Sequence, residues 1–243
     1  MSHLPPFEVV ELRRYAIRDG ERERFARYFE SYFPEAFQQL GALALGQGFE
    51  RGNATWFTWL RGFRDMDARA RINAEFYFGP LWKEHRSTMN ELLLDSDNVL
   101  LLEPLHGDPV PALPAVDPVS ESAGAAGVLV LHVFALRKKA AEAFAERARR
   151  EFLAYRRPGV RQAGLLATLD EPNNFPQLPV REDGPYAVWL GIAESDDIVA
   201  RELVPRAAKL ATVLGDAGLL RRKPELVLMD PTPRSRLRWR IEP

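Results

Sequence analysis

Hydrophobic and polar positions alternate through residues 7–17, which predicts an extended strand that ends at Asp19-Gly20. The period then lengthens. Across residues 21–40, Phe25, Tyr28, Phe29 and Tyr32 recur three and four residues apart, the spacing of an amphipathic helix. Residues 42–51 and 54–64 read as two strands joined at Gly52-Asn53, a hairpin. Asp65 is placed to cap a helix reaching about Phe78. Gly79 breaks that helix, and Pro80 suits the first turn of a second one running to Leu94. Residues 98–105 form a last strand. The predicted order is βαββαβ, the split βαβ unit.

The same order returns downstream. Strands are predicted over 128–136, 160–169, 186–193 and 226–230, and helices over 138–155 and 196–214. Phe25 and Phe33 match Phe144 and Phe152, each 119 residues on. Trp59-Leu60 and Arg71 match Trp189-Leu190 and Arg201, each 130 residues on. The change of offset places a longer hairpin loop in the second copy, around residues 171–184. Glu103-Pro104 matches Asp230-Pro231. Matched elements in matched order are the mark of a duplication.

Between the copies, Pro109, Pro111, Pro114 and Pro118 rule out helix or central strand, so residues 106–126 read as a linker. The predicted units are 1–105 and 127–243. One such unit covers a single sheet face with helices and leaves the other bare. Two copies in one chain can bury the bare faces on each other, closing a barrel-like core with the helices outside.

Composition narrows the function. The chain of 243 residues is 46% hydrophobic and 28% charged, as expected for a globular protein with a substantial core. A net charge of −1 gives no general attraction to nucleic acid or anionic membranes. The absence of cysteine removes disulfides and thiolate chemistry. No signal peptide or spanning segment is visible, and the expected location is the cytoplasm. There is no phosphate loop, dinucleotide fingerprint or nucleophile elbow. The four histidines, His3, His85, His106 and His132, are not paired at metal-ligand spacing, so no metal site is expected.

Three segments carry a resemblance: Val10-Glu11-Leu12-Arg13-Arg14-Tyr15, Phe78-Gly79-Pro80-Leu81-Trp82-Lys83-Glu84-His85-Arg86, and Asp95-Ser96-Asp97-Asn98-Val99-Leu100-Leu101-Leu102. With them the first copy resembles the NIPSNAP family of the dimeric α+β barrel superfamily. The second copy keeps the element order but has no counterpart of the Trp-Lys-Glu-His-Arg segment. The resemblance implies an α+β fold: a tandem pair of ferredoxin-like units whose antiparallel sheets pack as an intramolecular dimeric α+β barrel. It transfers no reaction. The wider superfamily includes cofactor-independent monooxygenases and haem enzymes, and fold alone does not choose among them.

Strand alternation sets Val9, Glu11, Arg13 and Tyr15 on one face and Val10 and Leu12 on the other. The apolar pair is expected against the helices, with Glu11, Arg13 and Tyr15 toward the space between the sheets. His132 occupies the place of Arg13 in the second copy, so the two are expected across one cavity. Trp59 and Arg61 share a face and would line that cavity. Trp82 and His85 share a helix face. The plain alternatives are a Glu11–Arg13 ion pair, core packing of the aromatics and a satisfied core His132.

The expectation is a small organic ligand, aromatic or acyl, held in a cavity between sheet and helices by Glu11, Arg13, Tyr15, Trp59, Arg61 and Trp82. Arg13 would orient an anionic group. If there is catalysis, of monooxygenase or isomerase type, His85 or His132 would move the proton. The competing class is a non-enzymatic interaction protein with a filled core. No cofactor is expected, and haem on His85 is the weaker option. No nucleic-acid or membrane partner is expected, whereas fused pairs could assemble into homo-oligomers. The tail, with Arg234, Arg236, Arg238 and Arg240 alternating with Leu237, Trp239 and Ile241, is expected to form an amphipathic edge strand.

Overall fold

The structure, a computed structural model, describes residues 7–105, 110 and 125–240. His3, His106, Ile241 and nearly all of the 106–126 linker lie outside them. In the first half, β1 (Val9–Ile17) is followed by α1 (Arg22–Leu40), β2 (Leu43–Glu50), β3 (Trp56–Phe63), α2 (Met66–Tyr77), α3 (Pro80–Leu92) and β4 (Leu93–Pro104). The second half runs β5 (Val128–Ala135), α4 (Ala141–Glu151), a 3-10 turn (Phe152–Tyr155), β6 (Val160–Thr168) and β7 (Tyr186–Ala193). It ends with α5 (Asp196–Ile198), a π-helical turn (Val199–Leu203), α6 (Val204–Asp216) and β8 (Glu225–Pro231). Asp65 caps α2 as expected, its side chain accepting from the Ala68 amide at 2.7 Å. The predicted 196–214 helix is interrupted by the π turn just before Pro205, which has no amide hydrogen to continue the α-helical ladder.

Among the described residues the strands close one barrel in the order β1-β3-β2-β8-β5-β7-β6-β4. Its two seams are equivalent. The end of β4 pairs with β6, Leu102 opposite Thr168 to Pro104 opposite Leu166. The end of β8 pairs with β2, Gly48 opposite Pro231 to Glu50 opposite Met229. Each half therefore lends its last strand to the other. The segments after those strands cross over in the same way. Val110 packs on Gly164 and Leu237 on Gly46, so closely that a Cβ added at either glycine would lie 3.1 Å from the neighbouring side chain. At one seam Arg14 of β1 bonds both Glu50 of β2 and Glu225 of β8.

The barrel interior is filled with aliphatic side chains, among them Val10, Leu12, Leu60 and Leu102 from the first half and Leu131, Val188 and Leu190 from the second. The helices cover the outer faces and make two further cores, an aromatic one over the first sheet and a mixed one over the second. This reverses the expected facing. Val10 and Leu12 point into the barrel, while Glu11, Arg13 and Tyr15 point at the helices. Aliphatic residues fill the narrow interior without polar atoms, and the charged residues take the side where a helix can supply partners. The tail also departs from expectation. Residues 232–240 form no strand, because a closed barrel has no sheet edge to extend. Leu237 instead joins the barrel core, and Thr232 bonds the buried Glu30 at 2.5 Å.

Candidate ligand-binding site

The outer face of the first sheet carries a buried charge cluster. Glu11 of β1 stands directly opposite Arg61 of β3. Its Oε2 accepts from Arg61 Nε at 2.7 Å and from Arg13 Nη1 at 2.8 Å. Its Oε1 accepts from Arg69 Nε of α2 at 2.7 Å. Exposure is 0% for Glu11, Arg61 and Arg69 and 1% for Arg13. Burial alone would raise the Glu11 carboxyl, but Arg61, Arg13 and Arg69 outweigh it and hold it well below the usual carboxylate range. Burial would lower Arg13, yet Tyr15 and Glu11 hold it above its ordinary value.

Three guanidinium groups thus share one carboxylate, and the positive excess is visible in the hydrogen bonding. Arg61 Nη1 and Nη2 and Arg69 Nη2 are buried without a hydrogen-bond partner. Arg61 is instead enclosed by aromatic faces, with its carbon 5.1 Å from the Phe37 ring centre, 5.0 Å from Phe63 and 5.8 Å from Tyr77. Asn73, one turn beyond Arg69, is also fully buried with its amide unpartnered. A surplus of buried donors is costly unless something satisfies it.

Beside the cluster lies a cavity of about 410 Å³ between sheet and helices. Arg13, Tyr15 and Trp59 reach it from the sheet, and Phe33, Phe76 and Trp82 from the helices. Its outer side is formed by Phe175, Gln177, Leu178 and Pro179 of the second half, with Asp97 exposed at the rim. Arg13 Nε donates to the Tyr15 hydroxyl at 2.7 Å, and burial pushes that hydroxyl up from its ordinary value. Trp59 Nε1 is buried without a hydrogen-bond partner. The volume falls within the roughly 300–1,000 Å³ of small-molecule sites, and aromatic walls with a few convergent donors are their usual form.

Five of the expected residues therefore meet as a unit. Arg13, Tyr15, Trp59 and Trp82 line the cavity, while Glu11 holds Arg13 from below. Arg61 lies behind the Phe37, Trp59 and Tyr77 rings and acts on the cavity through space. The histidines do not join them. His85 hydrogen-bonds through Nδ1 with the Tyr28 hydroxyl at 2.7 Å and stacks on Tyr32, outside the cavity lining. His132 is buried on the outer face of the other sheet, its Nδ1 hydrogen-bonded with the Tyr155 hydroxyl at 2.6 Å. Arg13 and His132 hold equivalent places in two separate layers, not two sides of one cavity, because the barrel core lies between them. Burial pushes His132 down to about 3. Among the described residues no group of acids and histidines could hold a metal ion, and no helix is long and apolar enough to cross a membrane.

Two contributors escape a sequence reading. Arg69 looks like a solvated helix position, although Met66, Ile72 and Phe76 around it mark the buried stripe of α2. The 173–179 segment belongs to a different half, and its placement is purely tertiary.

No curated protein matches this chain in sequence. Among solved structures it is similar over nearly its whole length to a monooxygenase-like protein from Lactobacillus acidophilus, with 16% identity, 93% of this chain and 94% of the other covered, and a TM-score of 0.60. A second monooxygenase-like protein, from Fusobacterium nucleatum, gives 9% identity, 98% and 100% coverage, and a TM-score of 0.62. An anthrone oxidase-like protein gives 12% identity, 96% and 97% coverage, and a TM-score of 0.55. These likenesses show the fold, a fused dimeric α+β barrel. The family match is narrower and falls where most of the cavity lining is: residues 10–106 match the NIPSNAP family model.

Proposed function

We propose that the cavity of the first half binds a small organic acid with an aromatic or acyl body. The observation that carries this reading is the charge imbalance beside it: Arg13 lines the cavity, and behind that lining Arg13, Arg61 and Arg69 converge on the single carboxylate of Glu11. An incoming carboxylate would neutralise part of that excess in a low-dielectric setting, where each interaction is stronger than in water. Arg13 offers contact from the floor, with the Tyr15 hydroxyl and Trp59 Nε1 as further donors. The aromatic rings take the apolar body.

The buried groups at the floor favour binding over proton transfer. Glu11 is held far below neutrality, while Arg13 and Tyr15 are held above their ordinary values. They act as fixed charges and donors near neutral pH, whereas a general acid or base works best when it titrates there. The competing reading is oxygenation of an aromatic substrate in the same cavity, favoured by the full-length likeness to monooxygenase-like proteins.

Calorimetric titration with benzoate and phenylacetate, and with the corresponding primary amides, tests the first reading. The acids should bind about tenfold or more tightly than the amides, and Arg13→Gln should remove that preference. Equal binding of acid and amide would overturn it. Oxygen consumption on adding a bound acid would move the assignment to the oxygenase reading.

A further inference from the structure

We propose that the long β6–β7 loop of the second half is the specificity wall of the first half's cavity, with Phe175 setting the length of ligand body that fits. The inference rests on the organic-acid reading above.

This loop is where the repeat breaks, as the offset between matched residues grows from 119 at Phe25 and Phe144 to 130 at Trp59 and Trp189. The added residues reach across to the first half. The Leu169 amide donates to the Leu101 carbonyl at 3.0 Å and the Arg181 amide to the Val99 carbonyl at 2.9 Å, so both stems are fixed to β4. Beyond the stems, Arg69 Nη1 donates to Asn173 Oδ1 at 3.0 Å and to Asn174 Oδ1 at 2.7 Å. Asn174 Nδ2 donates in turn to the Met66 carbonyl at 2.7 Å. Arg69 therefore holds Glu11 with one nitrogen and the loop with another, linking the wall to the charged floor.

Phe175 is the loop's apolar anchor. It is 6% exposed, with its ring centre 6.1 Å from Tyr77 and 6.0 Å from Phe78. Arg13 rises from the sheet, and Phe175 comes from the loop closing the outer side. A ligand whose carboxylate sits on Arg13 extends its body toward that side. The first half offers nothing comparable in return, since only residues 51–55 separate β2 from β3. Among the described residues this charged cavity thus occurs in the first half alone, completed by a loop of its partner half.

The test is calorimetric titration of benzoate, phenylacetate, 3-phenylpropionate and 4-phenylbutyrate into the full chain and into Phe175→Ala, Phe175→Trp and Arg13→Gln variants. One site per chain is expected. Phe175→Ala should shift the tightest-binding acid to a longer homologue and Phe175→Trp to a shorter one. Arg13→Gln should weaken every acid roughly tenfold without reordering them. If the wild type binds the acids and neither Phe175 variant changes their order, the wall is overturned while the organic-acid reading stands. If the wild type binds none of them, that reading fails and the wall fails with it.

Discussion

Position for position, the two halves build different layers on the same sheet face. In the first, Glu11 stands opposite Arg61; in the second, the matching pair is Val130 opposite Gly191. Arg13 is matched by His132, Tyr15 by Phe134 and Arg69 by Val199. Trp59 and Trp189 hold the same place with different surroundings. Trp59 lines an open cavity with its indole nitrogen unpartnered, whereas Trp189 donates to Gln162 at 3.0 Å and meets Tyr155 at 4.5 Å between ring centres. The Trp189 ring lies so close over Gly191 that an added Cβ would meet it at 2.1 Å. Where the first half has a guanidinium, the second has the ring of its own tryptophan. A single backbone plan thus supports either a charged floor beside a chamber or a close-packed layer. The choice is made by a few side chains on one face of two strands, together with Arg69 of the covering helix and the 173–179 loop.

The sharpest way to break this comparison is to remove the central charge. Glu11→Gln leaves three buried arginines without their shared anion, and removing one partner of a buried ion pair costs about 3–5 kcal/mol. Val130→Ala at the matching position loses apolar burial alone, about 2 kcal/mol. Urea unfolding at pH 7 should separate the two substitutions by that margin. The pH sign follows from the depressed carboxyl. Its contribution is complete above the ordinary value of 4.5 and fades as pH falls toward the much lower folded value. The gap between wild type and Glu11→Gln should therefore narrow below pH 4.5. Equal costs for Glu11→Gln and Val130→Ala, or a gap independent of pH, would show that the arginines do not depend on Glu11.

Acid should reach the second half first. Burial pushes His132 from its ordinary 6.5 to about 3, so the folded layer holds it neutral while the unfolded chain protonates it. The stabilisation is present above pH 6.5 and is lost as pH falls toward 3, by about 1.4 kcal/mol per pH unit. Between pH 6.5 and 4.5 this loss precedes any from Glu11. In a His132→Gln variant the slope of unfolding free energy against pH should flatten across that window, whatever its absolute stability. An unchanged slope would mean that His132 is already charged in the fold.

Much of the fold was legible because each level of pattern agreed with the next. Strand alternation, helical spacing and the matched phenylalanines and tryptophans gave the element order, the duplication and the barrel. Alternation also identified which residues share a face, and so grouped Glu11, Arg13 and Tyr15 correctly. It could not say which face is which. In a closed barrel wrapped by helices both faces are buried, and Val9, Phe57 and Phe63 on one are as apolar as Val10, Leu12 and Leu60 on the other. Side-chain shape was the available clue, since the aromatic set matches Phe25, Phe29 and Phe33 of α1 and the aliphatic set suits a narrow interior. The histidines were attractive as titratable groups, but three-dimensional placement decides which groups meet. Arg69 and Phe175 come from a helix and a distant loop that no local period connects.

The smallest expected effect lies at the turn before the first helix of each half, where the two copies agree in geometry and differ in residue. The Arg18 amide bonds the Leu92 carbonyl just as that of Arg137 bonds Leu219, and the Glu21 and Ala140 amides bond back to Arg18 and Arg137. Between them the chain must pass through positive φ. The first half places Gly20 there, at +74°, and the second places Lys139, at +109°. A side chain in this region is strained by about 1–2 kcal/mol, and glycine gives back part of that through the greater freedom of the unfolded chain. Lys139→Gly should therefore raise stability by about 0.5–1 kcal/mol, and Gly20→Lys should lower it by a similar amount. Opposite signs from the two exchanges, read as urea midpoints, would show that the duplicated turn still imposes its glycine geometry on a position that has lost the glycine. A loss of stability in Lys139→Gly would instead mean that the lysine side chain makes contacts outweighing its backbone strain.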